Sequence, residues 1–386
     1  MKNSALGLSF EGSEHPERVA RGTSAPSHSP HVLTLVPPEH NPYGQDSPND
    51  IGEMLLPDGS KFGLFSDPYA SQVFVKANEG IRNGQYWLAE KLNDGHFRDR
   101  EIKLLDLLST IRVATRSQIH RVLRDDPTKE NDNSTFEFIK KCRKSGIICA
   151  FSWVSPLQDE RKKPTVYALT RTGAQAAETL FQRRLPDKFW LQPIAFPPGR
   201  SPSMDVFFLD LIANELYSEL VSIDRLTEWT RRPPIKIPGT NSNHYPYASF
   251  KVIKNRNDFK EFWIEVFRPT RDWVNKTIVR FERTELAYKS LPEHHRPNRL
   301  ILIADGDSRI KTLAELAQIY MPSVEVRFST DERILSGIGP DTFISYNFEK
   351  NVLVRKSIPY LQPNYSGMTA SQYYESLQPN IEDDDI

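Results

Sequence analysis

Hydrophobic residues along the chain become periodic near residue 99, after a long stretch in which no helix or strand spacing persists. Ile102, Leu105 and Leu108 recur at the spacing of a helix with one buried face. A second helix is predicted after Thr115, because residues 115–118 (Thr-Arg-Ser-Gln) form a capping box, in which the first and fourth side chains satisfy backbone N–H groups. Residues 134–137 and 172–175 have the same pattern and predict the starts of two further helices.

Two strands are predicted between the third and the fourth of these helices. The third helix is expected to end at Ser145-Gly146, because glycine is common just past a helix C-terminus. Residues 147–154 and 165–169 have the composition of strands and are separated by a polar loop. The order helix, helix, helix, strand, loop, strand, helix is that of a winged helix-turn-helix. We therefore predict a winged-helix DNA-binding domain over residues 99–185.

A proline-rich segment, residues 186–202, separates this block from a second one. Strands in the second block alternate with amphipathic helices, which predicts a mixed α/β domain over residues 203–330. The predicted helices cover residues 204–220, 275–290 and 310–320, and the predicted strands cover residues 226–230, 248–253, 261–267, 300–304 and 324–328. The predicted fold class is α+β or α/β, with the winged helix preceding the α/β domain.

The two ends of the chain show little pattern. Residues 1–65 carry frequent prolines among serines, histidines and asparagines, and we predict that they are largely disordered because they bury too little apolar surface to offset their ordering entropy. Residues 347–386 are predicted to form a tail, which ends in the acidic run 382–385.

Charge supports nucleic-acid binding only where it is clustered, because the 50 basic and 50 acidic residues of the chain cancel. Between Glu101 and Leu185 there are 16 lysines and arginines and 10 acidic residues, a local excess of six positive charges. Helical spacing places Ile139 and Cys142 on the inner face of the third helix and its lysines on the outer face, as a recognition helix requires. The predicted duplex-DNA contacts are Arg116, Arg121, Arg124, Lys140, Lys141, Arg143, Lys144, Arg161, Lys162 and Lys163.

The helix-turn-helix, the phrase Val-Tyr-Ala-Leu-Thr-Arg-Thr-Gly at residues 166–173 and the following block together resemble the replication-relaxation family, found on plasmids and other bacterial mobile elements. The resemblance covers about residues 100–330. It implies that the second half has a restriction-endonuclease-like fold, with a Pro-Asp step on one strand and Glu-x-Asp-Arg-Gly-Thr on the next.

The corresponding motifs in this chain lack two acids. Glu265, Arg268 and Thr270 match the second motif, but Phe267 replaces its second acid, and the first motif occurs as Pro-Tyr at residues 246–247. A magnesium ion that activates water needs at least two convergent oxygen ligands, so Glu265 is only a weak catalytic candidate. We predict a degenerate nuclease-like domain without enzymatic activity, although Asp210 or Glu215 of the preceding helix offers a substitute acid.

Other chemistry is not indicated. Cys142 and Cys149 are too few for a disulfide framework and lack the spacing of a zinc site, which favours a reduced cytoplasmic protein. The sequence has no apolar run long enough for a membrane helix, no hydrophobic stretch of a signal peptide and no phosphate-binding glycine-rich loop. No cofactor or metal is predicted.

These inferences lead to a sequence-specific duplex-DNA-binding protein of a plasmid or other mobile element. It would act in transcriptional control or in assembling a replication or transfer complex, whose protein components are further expected partners. We expect a homodimer, whose interface would include helix 275–290 with Ile278, Phe281 and Leu286. The alternatives are a metal-dependent DNA nuclease and a protein-interaction adaptor whose basic residues are ordinary solvated charges.

Overall fold

The computed structural model describes residues 40–44, 47–124, 133–197 and 199–377. The helices are α1 (Gly84–Asp94), α2 (Asp99–Ile111), α3 (Arg116–Leu123), α4 (Asn133–Lys144), α5 (Arg171–Phe181), α6 (Asp205–Ser222), α7 (Trp273–Ser290), α8 (Ile310–Tyr320), α9 (Asp331–Leu335) and α10 (Ala370–Leu377). The strands are β1 (Ser71–Phe74), β2 (Val113–Thr115), β3 (Ile148–Val154), β4 (Val166–Leu169), β5 (Leu226–Arg231), β6 (Ile235–Lys236), β7 (Asn243–His244), β8 (Ala248–Asn255), β9 (Asp258–Val266), β10 (Arg299–Ala304), β11 (Val326–Thr330), β12 (Ile344–Asn347) and β13 (Val352–Arg355). No helix in these ranges combines the length and the apolar character that crossing a membrane requires. The predicted mixture of helices and strands is confirmed.

The first half surrounds a four-stranded antiparallel sheet with the strand order β1-β3-β4-β2. The capping box that starts α3 is present, because the Gln118 N–H donates to Thr115 Oγ1 at 3.3 Å and the Thr115 N–H donates to Gln118 Oε1 at 2.9 Å. Helix α4 ends at Lys144, and Gly146 follows with a φ of 76°, a conformation that glycine adopts without strain. The capping box therefore predicted the start of α3 correctly, and the glycine predicted the end of α4 correctly.

The start of α5 differs from the prediction. Its N-cap is Thr170 and not Thr172, because Thr170 Oγ1 accepts a hydrogen bond from the Gly173 N–H at 3.2 Å. The same hydroxyl donates to the Gly146 carbonyl oxygen at 2.6 Å, which fixes its direction. A Cβ at position 173 would lie 2.0 Å from the Ile147 carbonyl oxygen, so the helix approaches the start of β3 more closely than a side chain allows.

The second half is built on a seven-stranded mixed sheet with the order β13-β12-β11-β10-β9-β8-β5. Strands β9, β10 and β11 are parallel, and the other neighbours are antiparallel. Side chains alternate across β9: Phe262 and Ile264 lie in the large core cluster that includes α6, whereas Trp263 contacts Tyr288 of α7 with ring centroids 6.3 Å apart. The sheet is therefore covered by α6 on one face and by α7 on the other.

The two halves share one core, so the predicted boundary between residues 185 and 203 does not separate independent units. One hydrophobic cluster contains Phe151 and Trp153 of β3, Phe208 of α6, and Phe250 of the large sheet. The rings of Trp153 and Phe208 meet edge to face with centroids 5.0 Å apart. The first half also begins before residue 99, since β1 pairs with β3 and α1 packs on α5.

Residues 40–44 and 47–65 fold against the rest of the chain, which corrects the prediction of disorder for this part of the N-terminal region. Tyr43, Met54 and Phe62 are buried in a small cluster with Leu157 of the β3–β4 loop. Arg309 donates to the Leu55 carbonyl oxygen at 3.1 Å. The apolar residues lie in irregular backbone and one short 3₁₀ turn, so they leave no periodic signal. Residues 1–39 lie outside the described residues.

The predicted tail is also largely folded. Strand β13 pairs with β12 and completes the large sheet, and Ile358 and Leu361 are buried in the shared core. Helix α10 follows, and the Tyr374 hydroxyl is hydrogen-bonded to the Thr227 carbonyl oxygen of β5 at 2.5 Å. The acidic run 382–385 lies outside the described residues.

Candidate nucleic-acid interface

Helix α4 presents a polar outer face, as predicted. Thr135, Ile139 and Cys142 are buried, whereas Lys141 and Lys144 are exposed. The Lys140 side chain is 41% exposed and forms an i,i+3 ion pair with Glu137 at 3.2 Å. An exposed pair of this kind contributes about 1 kcal/mol or less to stability, so a phosphate can replace the carboxylate at little cost.

A groove of about 570 Å³ lies between the start of α3, the start of α4 and the loop that joins β3 to β4. The helices contribute Arg116 and Phe136, and the loop contributes Lys162 and Lys163. The remaining lining residues are Thr115, Ser117, His120, Asn133, Thr135, Pro164, Thr165 and Tyr167. Three segments thus meet at one open surface, which we call the α3–α4–loop groove, and its lysine and arginine side chains come from α3 and the loop.

A second cleft, of about 610 Å³, runs along the other half of α4. Lys140, Lys141 and Lys144 form one wall, and α1 supplies Tyr86 and Trp87 on the other. Tyr86 is 80% exposed. Helix α1 was not part of the predicted domain, and its aromatic residues beside the lysines were missed because residues 84–94 show no strong amphipathic pattern.

Arg121 is not available to DNA, which corrects its prediction as a phosphate contact. Its guanidinium forms ion pairs with Glu215 and Glu219 of α6 and is mostly buried. Gln118, one turn earlier, donates to Glu215 Oε2 at 2.7 Å. The inner side of α3 is therefore bound to α6 through charged and polar groups.

Arg143 and Arg161 also have structural partners. Arg143 forms an ion pair with Glu79, in the loop that precedes α1. Arg161 forms an ion pair with Asp159 at 2.6 Å and donates to the Phe62 carbonyl oxygen at 2.6 Å. The Arg161 contacts hold the β3–β4 loop against the N-terminal segment, and neither arginine lines the α3–α4–loop groove.

The other predicted contacts remain accessible to different degrees. Arg116, Lys141, Lys144 and Lys162 are exposed. Lys140, Lys163 and Arg124 are partly exposed. Arg124 is the last described residue before residues 125–132, which lie outside the described ranges.

The candidate catalytic acid of the second half is paired with an arginine. Glu265 is buried. Its carboxylate accepts a hydrogen bond from Arg280 Nη2 at 2.7 Å, and His244 Nε2 lies 3.5 Å from the same carboxylate. Burial raises the pKa of the Glu265 carboxyl, but the charge of Arg280 and the hydrogen bond with His244 outweigh burial and hold that pKa below its ordinary value. Phe267, the residue predicted from the sequence to replace the second motif acid, packs on Trp273 with ring centroids 5.1 Å apart.

The two substitute acids on α6 are engaged as well. Asp210 is fully buried and accepts hydrogen bonds from Arg112 and Arg231, each at 2.8 Å, and from the Tyr247 hydroxyl. This Tyr247 is the residue predicted from the sequence to replace the first motif acid. Glu215 is paired with Arg121. Within the described ranges, no group of three or more histidine, cysteine, aspartate or glutamate side chains is arranged to hold a metal ion.

Cys142 and Cys149 are buried and unbridged. Burial raises the pKa of each thiol to about 12, so both are protonated at neutral pH and neither is a good nucleophile.

Comparison of the chain with protein-family models, with curated proteins and with solved structures gave no match.

Proposed function

We propose that the chain binds duplex DNA through a winged helix-turn-helix formed by α2 to α5 with β2, β3 and β4. In this proposal α4 is the recognition helix, and residues 155–165 between β3 and β4 form the wing. The element order α2-β2-α3-α4-β3-β4 and the strand order β3-β4-β2 support it. Helix α3 then supports α4 on the duplex, with Arg116 toward the phosphates.

The observation that carries the proposal is the convergence of basic groups on the α3–α4–loop groove. Arg116, Lys162 and Lys163 come from two segments about 45 residues apart in sequence. Ordinary solvated charges have no reason to meet at one concave surface beside an exposed lysine face. Duplex DNA binds to such a surface because phosphate contacts release condensed counterions.

For the second half we propose a non-catalytic support with a restriction-endonuclease-like arrangement. The order α6-β5-β8-β9-α7-β10, with three antiparallel strands followed by a parallel crossover, supports this architecture. The carboxylates of Glu265, Asp210 and Glu215 are each paired with an arginine, which supports the absence of nuclease chemistry. Transcriptional control, or assembly of a replication or transfer complex, on a plasmid or other mobile element in the cytoplasm remains the process that the family resemblance predicts.

A homodimer remains part of the proposal, but its predicted interface changes. Phe281 is buried inside the second half and Ile278 is only partly exposed, so neither supplies the main contact area. Val279 and Leu286, which are 54% and 53% exposed, are the apolar side chains of α7 that remain accessible.

The test is the salt dependence of duplex binding for the wild type and for a variant with Lys162→Ala and Lys163→Ala. Fluorescence anisotropy with a labelled random-sequence duplex would give the Kd at several salt concentrations. We expect weaker binding and a fall of about two in the slope of log K against log salt, because each lost phosphate contact removes about 0.9. Lys350→Ala with Lys356→Ala, two exposed lysines of the β12–β13 region, is the matched control and should change neither quantity.

Two outcomes would contradict this proposal. A slope that is the same in both double variants would show that the groove does not contact DNA. Wild-type protein that binds no duplex even at low salt would favour the adaptor alternative.

A further inference from the structure

Phe136 is an exposed aromatic residue inside a basic groove. It lies in the first turn of α4 and is 41% exposed. Phe138, two residues later, packs instead against the core of the first half. Single exposed apolar residues are common and need no explanation by themselves. The surroundings of Phe136 set it apart, since the groove around it is lined mainly by polar and basic side chains.

Two cations hold the Phe136 ring. The Arg116 guanidinium carbon lies 5.6 Å from the ring centroid, and Lys140 Nζ lies 6.0 Å from it. Arg116 belongs to α3 and Lys140 to the next turn of α4, so the ring is flanked from two elements that line the proposed DNA surface. The ring is thereby presented to the groove at a defined position between two cationic groups.

The chemistry of a phenyl ring limits what it can recognise in DNA. It has no hydrogen-bond donor or acceptor for base edges, and the only apolar group in the major groove is the C5-methyl group of thymine. On this basis, which rests on the proposed duplex binding by α4, we propose that Phe136 contacts a thymine methyl group and selects thymine at that position. Asn133 and Ser117 of the same groove supply the hydrogen-bonding groups beside it.

The test compares thymine with uracil, which differ by this methyl group alone. Duplexes that bind the wild type would be selected from a random-sequence pool, and each thymine of the best binder would be replaced in turn by uracil. We expect one thymine, or two adjacent ones, at which uracil weakens binding by about fourfold, the effect of burying one methyl group. In Phe136→Ala the ratio of the two affinities should fall to about one at that position.

The ratio isolates the methyl contact, because any change in Arg116 or Lys140 after loss of the ring affects thymine and uracil duplexes alike. Phe348→Ala, which removes an exposed phenylalanine from the turn between β12 and β13, is the control and should keep the wild-type ratio. Selected duplexes that bind equally well with uracil at every position would overturn the proposal, and so would a preference for thymine that persists in Phe136→Ala. Both results would leave salt-dependent duplex binding intact, whereas failure of the wild type to bind any duplex would refute the proposed function itself.

Discussion

Asp210→Asn should destabilise the whole chain, because Asp210 is the buried anion that joins its two halves. Its carboxylate, on α6, accepts from Arg112, at the junction of α2 and β2, and from Arg231, at the end of β5. The Tyr247 hydroxyl donates to the same carboxylate. The single substitution therefore removes the shared partner of groups from three separate segments.

The expected loss follows from burial. The Asp210 side chain is 0% exposed, and the side chains of Arg112 and Arg231 are 10% and 15% exposed. Removal of one member of a buried ion pair costs about 3–5 kcal/mol, because the other charge stays buried without compensation. Asparagine keeps one acceptor oxygen, but its NH₂ group then faces a guanidinium donor. We expect the free energy of unfolding to fall by about 3–5 kcal/mol, a large part of the roughly 5–15 kcal/mol that stabilises most proteins.

Urea unfolding followed by circular dichroism and tryptophan fluorescence would measure this loss. Asp106→Asn is the matched control, because Asp106 is 56% exposed and pairs with Arg183 at 3.6 Å. A surface pair of this kind contributes about 1 kcal/mol or less. If Asp210→Asn costs no more than Asp106→Asn, the idea that this network joins the halves is wrong. Wild-type protein whose two optical signals report separate transitions would contradict it independently.

Two further predictions concern the same architecture. The fragment 99–185 should fail to fold by itself, because it lacks β1 and the α6 residues that pair with Gln118 and Arg121; a cooperative thermal transition in its circular dichroism would disprove this. The full chain should leave supercoiled plasmid intact with Mg²⁺ or Mn²⁺, because the Glu265 carboxylate is held by Arg280; cleavage that is lost in Glu265→Ala would restore the nuclease alternative.

Signals that act over a few residues predicted the structure well. The Thr115–Gln118 capping box depends on groups three positions apart, so the sequence alone contains all of its parts. The start of α5 shows the limit of such signals, since Thr170 and Thr172 both precede a suitable backbone donor. The choice between them depends on the Gly146 carbonyl oxygen, which only the folded chain brings within hydrogen-bonding distance of Thr170.

The accessibility of the basic residues could not be predicted in the same way. Arg121 follows the same helical spacing as an exposed phosphate ligand, but its partners Glu215 and Glu219 are 94 and 98 residues away in sequence. Arg161 lies in a polar loop, and its contact with the Phe62 carbonyl oxygen spans 99 residues. By contrast, Lys162 and Lys163, in the same loop, do line the groove. Helical periodicity identifies the outer face of a domain only if nothing else packs on that face, and here α6 packs on α3.

Helix α6 connects the proposed loss of catalysis with the proposed binding function. Asn214 donates to the carbonyl oxygens of Ile111 and Val113, at the end of α2 and the start of β2, and Glu215 binds both Gln118 and Arg121 of α3. Glu215, one of the two substitute acids considered for a metal site, thus fixes α3, and with α3 one wall of the α3–α4–loop groove. A recognition surface is most precise when rigid elements position it. On this argument the large sheet contributes to DNA binding by holding α6 in place, and a loss of affinity in α6 variants should follow from displacement of α3 without any contact between the sheet and DNA.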